Sequence, residues 1–268
     1  MTETTTECMN TRSEDVRDSR GALVLATDLD GTFAGGTAAE RRRLQTLLAG
    51  WPDGLLIYVT GRSVPAAREL MREAELPRPD VLIADVGTTV VDGGGFEAVE
   101  AIERALGARW PGHAAVRERL AGLGVVEEQE VEAPRRVSYV LAGGAGLEEA
   151  AAQVRSRLTG LTVDVVASAG TYVDVLPAGV NKGTTLRRVV MWLGRSESEV
   201  VVAGDTLNDL ALFEAGFAGV VVGNSEPGLR ARVGGRRGVY VAAGHGAGGI
   251  LEGLAHFGWI EEEATHGE

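Results

Sequence analysis

The chain has 268 residues, with 26 Lys and Arg against 38 Asp and Glu, a formal net charge of −12. That acidity argues against nucleic acid or an anionic membrane as a partner, because both bind through a basic footprint. The one cysteine, Cys8, excludes a disulfide framework and a cysteine metal site, and no apolar run approaches the ~20 residues of a spanning helix.

Residues 1–20 have no apolar stretch of signal-peptide type, and their Thr, Glu, Asp and Arg content reads as a disordered tail. A soluble, cytoplasmic protein is expected, as a monomer or homodimer. Residues 23–29 form a continuous apolar strand that stops at an acidic cluster. A helix follows at 38–49, with Leu44, Leu47 and Leu48 on one face. Residues 55–60 are a second buried strand, 65–74 a helix with Pro65 in its first turn, and 81–86 a third strand. Unbroken apolar strands alternating with helices predict a parallel sheet covered on both faces.

The middle of the chain changes character. Residues 97–106 and 113–120 read as helices, 136–141 as a strand with partial alternation, and 147–158 as a helix. Strands at 161–166 and 172–176 flank the turn Ser168-Ala169-Gly170. The α/β rhythm then returns with a helix at 182–193, a strand at 200–203 and a helix at 207–214. Strands at 219–222 and 238–242 and a helix at 250–257 close the chain. The expected fold class is α/β: a doubly wound, Rossmann-like parallel sheet made of residues 21–87 and 175–262, with an α+β domain inserted at 88–174.

Ligands of such a sheet bind beyond the carboxyl ends of the strands. Four polar clusters fall at such ends or open a helix. Asp28-Leu29-Asp30-Gly31-Thr32 ends the first strand, and two carboxylates this close are unfavourable without a cation or proton between them. Thr60-Gly61-Arg62 ends the second strand and offers O–H and N–H donors to an anion. Asn181-Lys182-Gly183 opens a helix with a Lys set against the helix dipole. Gly204-Asp205-Thr206-Leu207-Asn208-Asp209 follows the strand at 200–203, with two acids four residues apart. Each cluster alone is as readily a turn, a helix cap or a surface charge. Their common edge and single order point to a site for a metal and a phosphate.

These motifs resemble the four motifs of haloacid dehalogenase (HAD) superfamily phosphatases, over residues 23–87 and 175–259, and the insert stands where that family places a C2-type cap. Val86-Gly87-Thr88, Arg136-Val137-Ser138-Tyr139, Tyr172 to Pro177 and Gly223-Asn224-Ser225 are further similar to the sucrose-phosphate phosphatase group. The stretch Thr89 to Phe96, taken as the start of the cap, departs from that group in being Gly-rich and poor in sugar-binding side chains. The resemblance implies Mg²⁺-dependent hydrolysis of a phosphorylated sugar or disaccharide through an aspartyl-phosphate. It makes Asp28 the nucleophile and Asp30 the general acid and base. Asp28, Asp30, Asp205 and Asp209 form the Mg²⁺ site, and Thr60, Gly61, Lys182 and Asn208 hold the phosphoryl oxygens. Arg136 and Ser138 are expected as sugar contacts, and Arg62 either caps a helix or faces solvent. The expected partner is a small-molecule sugar phosphate. A phosphosugar mutase on the same core and a phospho-Asp receiver without enzymatic turnover are the competing readings.

Overall fold

The computed structural model describes residues 22–261; the tail expected at 1–20 lies outside them. Eleven strands and nine α-helices are named here in chain order. β1 (Val24–Thr27), α1 (Ala38–Ala49), β2 (Leu55–Val59), α2 (Val64–Glu73), β3 (Val81–Ala84), β4 (Thr89–Asp92) and α3 (Glu100–Gly107) form the first part. α4 (His113–Leu120), β5 (Val126–Glu128), β6 (Val137–Leu141), α5 (Leu147–Arg157), β7 (Val163–Ser168) and β8 (Tyr172–Pro177) follow. The chain ends with α6 (Lys182–Trp192), β9 (Val200–Gly204), α7 (Leu210–Glu214), β10 (Ala218–Val221), α8 (Pro227–Val233), β11 (Val239–Val241) and α9 (Gly246–His256).

The larger sheet has the order β11-β10-β9-β1-β2-β3-β4. All its pairings are parallel except β3–β4, which is antiparallel. Successive residues of a strand point to opposite faces, and the two faces carry separate apolar cores. Val24, Ala26, Ile57 and Val202 face α3, α6, α7 and α8 through Leu106, Leu186, Leu212 and Leu229. Leu25, Tyr58, Leu82 and Val201 face α1, α2 and α9 through Leu44, Met71 and Ile250. Double coverage is why these strands read as unbroken apolar runs.

The smaller sheet, β5-β6-β8-β7, is antiparallel throughout. One face carries the apolar core: Val137, Tyr139, Val173 and Val175 pack on Val116, Leu120 and Val154 of α4 and α5. Alternation along β6 and β8 leaves Arg136, Ser138, Tyr172 and Asp174 on the opposite face, and Ser138 pairs directly across from Asp174.

The insert is smaller than residues 88–174 would make it. Thr89–Asp92 is the antiparallel edge strand of the larger sheet, and Val99, Ile102 and Leu106 belong to the main core. The Gly-rich stretch after Thr89 is therefore the far end of a core hairpin, which explains its lack of sugar-binding side chains. At the other boundary β8 stays in the smaller sheet to Pro177. An edge strand and an amphipathic helix carry the same local pattern in either domain, so the boundary is invisible without the pairing. Trp192 is half exposed, whereas Trp259 packs on Trp51 as a core residue.

Gly183 marks a close approach between α6 and α7. A Cβ there would lie 1.9 Å from the carbonyl oxygen of Ala211. Gly183→Ala is expected to cost about 2 kcal/mol by overpacking, read as a fall in Tm of roughly 6 °C with the far-UV spectrum unchanged.

Candidate functional site

Asp28, Thr60 and Asp205 each follow the last residue of a parallel strand, so the sheet delivers them to one edge. The chain leaves β1 through a tight turn in which Gly31 has φ +70°, and a Cβ there would sit 2.3 Å from Asp205 Oδ2. Only a bare backbone allows the first and fourth clusters to meet so closely.

The carboxylate oxygens of Asp28, Asp205 and Asp209 lie within 4.8 Å of one another, and all three residues are buried. Lys182 is fully buried beneath them at the first position of α6. Its Nζ donates to Asp28 Oδ1 at 2.8 Å, Asn208 Oδ1 at 2.8 Å and Asp209 Oδ1 at 2.6 Å. Asp209 Oδ2 accepts from the N–H groups of Asp205 and Thr206 at 3.1 and 3.0 Å. Thr206, not Asp205, is therefore the cap of the turn at Leu207–Asp209. Asp205 instead accepts from Thr32 Oγ1 at 3.0 Å.

Burial pushes the Asp28 carboxyl well up, with Lys182 opposing and Asp209 and Asp205 adding to the rise. Burial, reinforced by Asp209, pushes Asp205 up to about 7 against the hydrogen bond from Thr32. Burial opposes the charge of Lys182, but Asp209 and Asp28 outweigh it and hold the ammonium above its usual range. Three carboxylates thus face one ammonium in a space shielded from water. An all-oxygen, net-negative set of this kind could hold a hard divalent cation.

Above this floor opens a cleft of about 620 Å³ between the two sheets. Asp28, Asp30, Gly61 and Asn208 face it from the core. Asn208 Oδ1 is taken by Lys182 and by Thr206 Oγ1, while its Nδ2 points at Gly61, 3.6 Å from where a Cβ would stand. Thr60 is buried below Gly61, its Oγ1 accepting from Arg62 N–H at 3.1 Å. Asp30 is exposed at the mouth and forms a two-pronged ion pair with Arg62, both contacts 2.7 Å. Arg62 thus neither caps a helix nor stands free; Ser63 holds the N-cap position of α2.

The insert supplies Gln129, Glu130, Glu132, Arg136, Tyr172 and Asp174 to the cleft. Arg136 reaches it, but its terminal nitrogens turn to the core, Nη1 to Gly61 O at 2.8 Å and Nη2 to Asp85 Oδ1 at 3.0 Å. Ser138 does not line the cleft, since its Oγ is spent on Asp174 Oδ1 at 2.5 Å. The segment Gln129 to Glu132 was missed because it carries no motif. Its position in the link between β5 and β6 was the available signal. His113 binds the Ala133 carbonyl and His256 stacks on Tyr240, both away from the cleft. Among the described residues, no helix is long and apolar enough to cross a membrane.

Known proteins resemble this chain over most of its length. The sucrose-6F-phosphate phosphohydrolase family matches residues 21–258. A glucosylglycerol-phosphate synthase of Pseudomonas anguilliseptica is 39% identical over 247 residues, 92% of this chain but 32% of that protein. This chain thus spans about a third of that relative. A mannosylfructose-phosphate phosphatase of Agrobacterium fabrum is 32% identical over 88% of this chain and 96% of its own length. The sucrose-phosphatase of Synechocystis sp. PCC6803, solved with sucrose and phosphate, superposes with a TM-score of 0.78 at 31% identity, covering 88% of this chain and 97% of that one. The chain therefore belongs to the sucrose-6F-phosphate phosphohydrolase family and has the HAD-like fold.

Proposed function

We propose that the chain hydrolyses the phosphate monoester of a neutral sugar or glycosyl conjugate, by way of a phosphoryl group carried on Asp28 and with Mg²⁺ as cofactor. The observation that carries this reading is the buried set Asp28, Asp205, Asp209 and Lys182 on the cleft floor, with Asp30 exposed above it. Asp28, Asp205, Asp209 and the main-chain carbonyl of Asp30 would hold Mg²⁺. When bound, the ion supplies positive charge that lets one anion approach another.

An Asp28 carboxylate oxygen attacks phosphorus as the bond from phosphorus to the sugar oxygen breaks. The electron pair of that bond stays on the sugar oxygen, which takes its proton from Asp30. A water oxygen then attacks the same phosphorus and gives its proton to Asp30. The acyl-phosphate bond breaks, its electron pair returns to Asp28, and inorganic phosphate leaves. Lys182, Asn208, Thr60 and Gly61 hold the phosphoryl oxygens through both steps.

The wall opposite Asp28 suits hydroxyl groups. Gln129, Glu130, Glu132 and Tyr172 present amide, carboxylate and phenol groups to the cleft. The two arginines of the cleft, Arg62 and Arg136, are each paired with a carboxylate. A second phosphate therefore meets no uncommitted cation from them, which favours hydrolysis of a monophosphate over a mutase that works through a bisphosphate. The names of the relatives suggest glucosylglycerol phosphate, mannosylfructose phosphate and sucrose 6-phosphate as first candidates.

Phosphate release measured over that panel is expected to be fastest with a neutral glycosyl substrate and weak with hexose bisphosphates; no release from any member contradicts the reading. Asp28→Asn is expected to lower turnover on the order of 10⁴-fold or more with the fold intact. Retained Mg²⁺-dependent release in that variant excludes Asp28 as nucleophile. Mg²⁺ at about 100 times its Kd is expected to stabilise the wild type by about 2.7 kcal/mol, seen as a rise in Tm. Asp205→Asn should lose most of that rise, and an equal rise in the variant would remove Asp205 from the ligand set.

A further inference from the structure

Arg136 was expected to contact sugar, yet its geometry serves the core. It stands just before β6 on the face of the small sheet turned toward the cleft, and only 7% of it is exposed. One terminal nitrogen holds the carbonyl of Gly61, the residue between Thr60 and Arg62 in the loop that lines the phosphoryl site. The other is anchored on Asp85, a buried acid that also accepts from Thr89 Oγ1 at 2.9 Å. Asp174, itself tied to Ser138, lies 3.7 Å away on the cap side.

The support beneath is unusual. Asp85 and Val86 have φ of +53° and +59°, two consecutive non-glycine residues in the left-handed region, and a β-branched residue is strained there. Asp85 N–H donates to Arg62 O at 2.9 Å and Val86 N–H to Thr60 O at 3.1 Å, so this strained loop is laced to the Thr60–Arg62 loop. Arg136 closes the lattice from the cap. Its neighbour Arg135 binds the same cap strand to the core elsewhere, on Glu103 Oε2 at 2.7 Å and Thr88 O at 2.9 Å.

We infer that Arg136 is a positioning residue for the phosphoryl-binding loop: held by Asp85, it fixes the Gly61 carbonyl and couples the seating of the cap to the alignment of Thr60 and Gly61. Arg135 only seats the cap. Arg136 acts through Gly61, so its loss reaches every phosphate monoester, including one too small to touch the cap. This inference rests on the phosphatase reading above.

The test uses p-nitrophenyl phosphate as a substrate with no sugar to read, and inorganic phosphate as a competitive probe of the phosphoryl site. Arg136→Lys and Asp85→Asn are each expected to lower kcat for p-nitrophenyl phosphate on the order of 10-fold or more and to raise the Ki for phosphate. The double variant should be no worse than the weaker single, because the two residues form one unit. Arg135→Ala should leave both quantities near wild type. Spectra and Tm check that each variant folds, and if Arg136→Lys does not, the comparison is read on Asp85→Asn. Variants with unchanged p-nitrophenyl phosphate kcat and phosphate Ki, and only a raised KM for sugar phosphates, overturn the inference and leave Arg136 a sugar contact. Additive losses overturn the coupling through Asp85. A wild type that hydrolyses no monoester contradicts the phosphatase reading itself, and the inference with it.

Discussion

One buried ammonium holds the site together. Lys182 has no exposure to water, and its three contacts reach Asp28 from β1 and Asp209 and Asn208 from the turn after β9. Two neighbouring strands of the larger sheet are thereby joined at their carboxyl ends by charge as well as by the ladder. Burying one such acid unpaired would be costly. Burying three together is sustainable because the lysine, and in the proposed reaction a divalent ion, supplies the opposing charge. The short contact of α6 with α7 at Gly183 follows from the need to bring the helix start, and Lys182 with it, under that floor.

The cap has a different logic. Its sheet carries an apolar core on one face only, so alternate residues of β6 and β8 turn polar groups toward the main domain. Asp174, Ser138 and Arg136 spend those groups on one another and on the core rather than on open space. Residues facing the cleft thus divide into a polar wall around Gln129, Glu130, Glu132 and Tyr172 and a buried tie to the core through Arg136.

The core and its motifs were legible because parallel strands covered on both sides leave unbroken apolar runs, and the polar clusters stand where those runs stop. Asp28, Asp30, Thr60, Gly61, Lys182, Asn208, Asp205 and Asp209 do come to one end of the sheet. The cap boundary was not legible, since β4 and α3 have the local pattern of either domain and only pairing with β3 assigns them. The destinations of polar side chains were harder still. Whether Ser138 meets a sugar or Asp174, and whether Arg62 meets solvent or Asp30, depends on residues 36 and 32 positions away in the chain. No local pattern encodes such a partner. The loop Asp85–Gly87 was invisible for the same reason: its two left-handed non-glycine residues are held by contacts that include Thr60, Arg62 and Arg136, distant in the chain.

The central claim is that a phosphoryl group passes through Asp28. Rapid acid quenching during turnover, followed by borohydride reduction and peptide sequencing by mass spectrometry, tests it most directly. Reduction of an acyl phosphate leaves homoserine, and the account predicts that product at position 28 and nowhere else. Homoserine at another acid, or none while phosphate is being released under conditions that trap acyl phosphates, would contradict it.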